Sequence, residues 1–150
     1  MINYLMLLVG LLIISACSTN KSGRTASEIN RECIVEMEAA RTAIRLRNNG
    51  KPQQELASSL PPLSKDSEHL LLALHQIVDE SYRYAQLNEV IYSNYRFQRC
   101  IRYFTNKAYP RDLKLVYSPL MACQQQYGAK ASRESTDCVS TVFNNSTPGK

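Results

Sequence analysis

Tryptophan is absent from this 150-residue chain, histidine occurs twice and glycine five times. So few glycines leave no Gly-rich loop to cradle phosphate, and neither a GxSxG elbow nor an EF-hand spacing occurs. His69 and His75 stand six apart and would face different sides of one helix, and neither HExxH nor CxxC is present. The common spacings for a metal site or a redox dithiol are therefore missing. A Ser-His-Asp triad would have to recruit a histidine from a leucine-rich stretch. No apolar alternation is long enough for a strand, and no segment repeats. These absences point away from an enzyme, and no catalytic residue, metal ligand or dissociable cofactor is nominated.

Charge is scarce where the chain begins. None of the 18 Lys and Arg or 13 Asp and Glu lies in the first sixteen residues, so the formal net charge of +5 belongs to the remainder. A basic remainder favours anionic neighbours: phosphorylated lipid, a glycan polymer or an acidic protein, ahead of nucleic acid. From Leu5 to Ile14 the chain is apolar apart from Gly10, too short at roughly 1.5 Å per residue to cross a hydrocarbon core of roughly 30 Å. It reads as a removable export signal.

That run closes on Ile14, Ser15, Ala16 and Cys17, which resembles the lipobox of bacterial lipoproteins. The resemblance covers the N-terminal segment alone. It implies cleavage before Cys17, a diacylglyceryl group on the Cys17 thiol and acylation of the freed amine with a chain such as palmitate. Several chains anchor firmly, since each buried methylene contributes about 0.8 kcal/mol. The segment departs from the family pattern in having no Lys or Arg in its opening MINY. Ser18 is not the aspartate that retains such proteins in the inner membrane, so the resemblance implies the outer membrane, facing the periplasm. The expected division is a signal peptide over 1–16, a lipidated cysteine and flexible tether over 17–26, a helical domain over 27–143 and a disordered tail over 144–150.

The domain reads as all-α, a bundle of about five helices. Thr25 with Glu28, or Ser27, opens a helix to about Asn49 that places Ile29, Cys33, Met37, Ala40 and Ile44 on one face, with Gly50 as the stop. A short helix fits Gln53 to Ser59, broken by Pro61 and Pro62. A second long helix is expected from Ser64 or Asp66 to Ala85, with Leu70, Leu74, Ile77, Val78, Tyr82 and Ala85 inward. A third follows Asn88 and carries Val90, Phe97, Cys100, Ile101, Phe104 and Ala108 inward, ending at Pro110. A fourth covers Ser118 to Tyr127, with Pro119 at its first position and Gly128 beyond it, and a fifth covers Ser132 to Phe143.

Beyond Cys17 four cysteines remain, Cys33, Cys100, Cys123 and Cys138. Export would put them where disulfides persist, and four cysteines allow three pairings. The favoured one joins Cys33 to Cys100 and Cys123 to Cys138: each cysteine falls on the apolar stripe of its helix, and the second bond would clasp consecutive helices. The stretches CIVEMEAARTAIRLRNNGKP and IVDESY, the latter ahead of Cys100, resemble small exported bacterial proteins of unassigned function. Their layout implies the same Cys33–Cys100 bond and carries no catalytic motif.

The most distinctive internal stretch, residues 82–104, mixes Tyr82, Tyr84, Tyr92, Tyr95 and Tyr103 with Arg83, Arg96, Arg99 and Arg102, and Lys107, Arg111 and Lys114 prolong its charge. Aromatics interleaved with arginine can stack on rings and bind anions, which nominates Tyr92, Tyr95, Arg96, Arg99, Arg102 and Tyr103. The competing reading makes the tyrosines the rim of a core and the arginines a solvated face. The acidic pairs Glu36/Glu38 and Asp79/Glu80 read as solvated surface. The expected role is a lipid-anchored, non-catalytic module for another envelope protein. The alternatives are a binder of cell-wall glycan or anionic lipid through the Tyr/Arg helix, or a periplasmic inhibitor or immunity-type protein.

Overall fold

Thr25 opens the first helix with a capping box: its hydroxyl accepts the Glu28 N–H at 3.2 Å while the Glu28 carboxylate accepts the Thr25 N–H at 2.7 Å. A computed structural model describes residues 23–146 from just ahead of this cap. The signal peptide 1–16, Cys17, most of the tether and residues 147–150 of the expected tail lie outside the described residues. Six α-helices follow in order: α1 Ala26–Asn48, α2 Gln53–Ser58, α3 His69–Arg83, α4 Glu89–Phe104, α5 Tyr117–Tyr127 and α6 Arg133–Ser146, with a 3-10 turn at Leu113–Leu115. No strand occurs among the described residues. No helix among them is long and apolar enough to cross a membrane.

α4 is the axis of the bundle, packing against α1 on one side and against α5 and α6 on the other, while α3 lies along α1 and carries α2. The main core gathers Ile44, Ile77, Ile91, Tyr95, Leu120 and Phe143, with Leu113 of the 3-10 turn and Val116 just after it. A smaller cluster of Ile29, Cys33, Cys100 and Phe104 closes the end where α1 begins. Cys33 is bonded to Cys100, tying α1 to α4, and Cys123 to Cys138, tying α5 to α6.

Several boundaries differ from expectation, each for a local reason. Ser64 and Asp66 open a turn in which Ser67 Oγ accepts the Ser64 N–H at 2.7 Å, and α3 starts only at His69. α4 stops at Phe104, short of Pro110. Asn106 takes φ 55°, its N–H reaches Tyr103 O at 3.3 Å and the Lys107 N–H reaches Arg102 O at 2.9 Å. This is the Schellman closure that asparagine tolerates. Ala108 and Ala85, expected inside, are exposed in the connections that result. Pro119 is the third residue of α5, where its missing N–H still costs no helical bond. α6 runs to Ser146, so the expected tail from residue 144 begins with helix.

Candidate functional site

Three charged side chains sit on apolar helix stripes. Glu36 lies between Cys33 and Ala40 on α1, Glu80 follows Ile77 on α3 and Arg96 precedes Cys100 on α4, and they are 1%, 5% and 1% exposed. Arg96 bridges the carboxylates: its Nε donates to Glu36 Oε1 at 2.9 Å, with Nη2 in ion-pair contact with the same oxygen at 2.5 Å, and its Nη1 donates to Glu80 Oε2 at 3.2 Å. The Tyr92 hydroxyl adds a bond to Glu80 Oε2 at 2.9 Å, and the Gln76 amide one to Glu80 Oε1 at 2.9 Å. Burial opposes charge on Arg96, yet Tyr92, Glu36 and Glu80 beside it hold its pKa above the ordinary value. Burial raises the Tyr92 phenol well above its usual value, aided by Glu80. This network locks α1, α3 and α4 together.

Its outer edge is incompletely paired. Glu36 Oε2, His69 Nδ1 and Arg99 Nη1 are buried without a hydrogen-bond partner. Their side chains all line one chamber of about 190 Å³, walled also by Leu72, Ala73 and Tyr103. Arg99 Nη1 stands 3.7 Å from Glu80 Oε1, beyond hydrogen-bond reach, while Arg99 Nη2 donates to Arg111 O at 3.3 Å. His69 stacks on Tyr103 with ring centroids 4.1 Å apart and meets the edge of Phe104 at 4.8 Å. Its Nδ1 lies 3.5 Å from Glu32 Oε1 without bonding geometry. Burial lowers the His69 pKa from 6.5, outweighing the pull of Glu36, so the imidazole is neutral at neutral pH.

The chamber adjoins a wider basin of about 650 Å³ that shares His69, Tyr103 and Tyr109 with it and adds Arg24, Lys107 and Arg111 against one acid, Glu68. Arg24 is held there by an ion pair with Glu32 and by stacking over Phe104, 4.8 Å from the ring centroid. Tyr103 at the mouth is 46% exposed and Leu72 at the chamber edge 49%. The chamber's sulfur, Cys100, is locked in a disulfide. What remains is a hydrogen-bond acceptor, a donor, a neutral imidazole and ring faces behind a basic mouth. Such a set can engage a ligand through hydrogen bonds and ring stacking.

Of the six nominated residues, the structure brings Arg96, Arg99 and Tyr103 to this site, Arg96 as part of its buried inner wall. Tyr92, Tyr95 and Arg96 are no more than 1% exposed. Their expected place on an exposed surface is corrected: they fall on the face of α4 turned toward α1, α3 and the core, and of the three only Arg96 lines the chamber. Burial pushes the Tyr95 phenol far up, and its ring packs 5.5 Å from that of Phe143. Arg102 is spent on structure, donating to Ala108 O at 3.0 Å and Asn144 Oδ1 at 2.5 Å and lying 5.2 Å over Phe143. The reading of Glu36 and Glu80 as solvated is likewise corrected. Glu36, His69 and Leu72 were missed as site residues, although Glu36 continues the 29, 33, 36, 40 spacing of the α1 stripe. An acid on an apolar stripe signals a buried partner. Among the described residues no group of three or more His, Cys, Asp or Glu could hold a metal ion. Comparison with protein-family models, with curated proteins and with solved structures found no match to this chain.

Proposed function

We propose that this chain is a lipid-anchored protein of the bacterial outer membrane that faces the periplasm and acts as a non-catalytic binding module for anionic cell-wall glycan, which it takes into the cleft between α3 and the C-terminal half of α4. One observation carries the reading: three buried, unpartnered polar atoms belong to side chains lining one chamber, which adjoins a basin lined by Lys107, Arg111 and the Glu32-paired Arg24 against Glu68, with an exposed tyrosine. An aromatic ring beside cations suits a sugar polymer that bears carboxylates or phosphates. The lipid on Cys17 rests on the lipobox resemblance.

Two measurements test it. Intact mass of the full chain made in a bacterial host, beside Cys17→Ala, should show loss of residues 1–16 plus acyl mass only when Cys17 is present. The acylated chain in detergent should co-sediment with purified anionic cell-wall glycan at low salt and detach at high salt. Charge reversal of Lys107 and Arg111 to Glu should weaken binding about tenfold, the loss of a rim contribution of about 1.4 kcal/mol. Binding indifferent to salt and to the reversal would sink the glycan reading.

A second reading, docking of another envelope protein, draws on Ile34 and Val35, neighbouring apolar residues of α1 that are 42% and 46% exposed. A photo-crosslinker at Val35 in living cells would yield one discrete adduct under that reading and none under the glycan reading alone.

A further inference from the structure

The chamber is too small for a whole sugar. Small-molecule pockets run from about 300 to 1,000 Å³, and about 190 Å³ admits a substituent, whereas the adjoining basin of about 650 Å³ admits rings. The charges at the chamber already balance: Glu36 and Glu80 face Arg96 and Arg99, with His69 neutral. A further charge entering would be left uncompensated away from water. The unmet demand is for a neutral group that offers both a donor and an acceptor. Glu36 Oε2 requires an N–H or O–H, and Arg99 Nη1 requires a lone pair. Leu72 and Ala73 supply an apolar wall beside them.

We propose that the chamber recognises the N-acetyl group of an amino sugar: the amide enters between Glu36 and Arg99, whose side chains turn so that Oε2 accepts its N–H and Nη1 donates to its oxygen, the methyl packs on Leu72 and Ala73, and the sugar ring rests at Tyr103. This deepens the glycan-binding reading and rests on it. A hydroxyl in the same place would offer donor and acceptor on one atom and leave the apolar wall bare. A free amine would bring an uncompensated positive charge.

The test keeps the glycan constant and changes only the acyl group. Anionic cell-wall glycan is chemically de-N-acetylated and then either re-N-acetylated or N-benzoylated, so that both products carry neutral amides and the same acidic groups. The full acylated chain in detergent should bind the re-acetylated polymer like the native one and the benzoylated polymer at least about tenfold more weakly. Tyr103→Ala, at an exposed ring, should weaken native glycan by a similar factor with an unchanged melting curve. Equal binding of the acetylated and benzoylated polymers overturns this inference and leaves the glycan-binding role standing. Binding to none of the three polymers overturns both.

Discussion

The Cys33–Cys100 bond ties α1 to α4 beside a seam filled with charge, whereas Cys123–Cys138 ties α5 to α6 over an interior of Leu120, Val139, Val142 and Phe143. The two regions solve burial differently. Apolar side chains need only shape, so the α5–α6 side can fill itself. Ionised groups need direction and stoichiometry, and Arg96 satisfies Glu36 through one oxygen while leaving the other unpaired. Unmet hydrogen-bonding capacity is costly in an interior, so a polar seam that reaches the surface becomes a place where a partner is wanted. The candidate site lies at that charged seam.

Removing the charge that joins the seam should separate the two regions most strongly. Arg96→Met should lower unfolding free energy in urea by about 3 to 5 kcal/mol, because Glu36 and Glu80 would stay buried without their counter-charge. Replacing all three by similar-sized apolar residues should recover most of that loss. If the single variant unfolds at the wild-type midpoint, the network is not holding the helices.

The disulfides come next. They enclose sequence separations of 67 and 15 residues, and loop-closure entropy then assigns about 4 kcal/mol to Cys33–Cys100 and about 3 kcal/mol to Cys123–Cys138. Paired Cys→Ser variants should differ in that order in equilibrium unfolding. A reversed order would mean that native packing, and not the unfolded chain, sets their worth.

The smallest effect separates the regions by pH. His69 has a folded pKa below its unfolded value of about 6.5 because burial disfavours the imidazolium. The unfolded chain therefore binds more protons, and stability falls as pH drops through about 6.5 and on to the lower folded pKa. His69→Gln should flatten the stability profile across that window. An unchanged slope would place His69 in a more solvated setting than the stacked one.

Much of the architecture was readable from local chemistry. The capping box at Thr25, the Asn88 cap, Gly128 after α5 and the positions of four cysteines on apolar stripes lead directly to helices and to their cross-links. The stop of α4 was missed because Pro110 is the louder signal, although Asn106 is a competent left-handed residue. The site was legible only at its edge. A Tyr/Arg helix looks the same whether its arginines face water or face Glu36 and Glu80 on other helices, and periodicity within one helix cannot supply the partner. Tyr92 became core and Arg96 the chamber's buried inner wall, while Arg99 lines the chamber and Tyr103, farther along the helix, reaches the mouth.

The proposed glycan role puts ligand entry at the charged seam rather than at any other surface. Methyl and aromatic NMR of the full acylated chain in detergent, titrated with soluble fragments of anionic cell-wall glycan, tests it most directly. Saturable shifts are expected at Leu72, His69, Tyr103 and Tyr109, with Leu120 and Val139 unmoved. Shifts confined to Ile34 and Val35, or to α5 and α6, would contradict it.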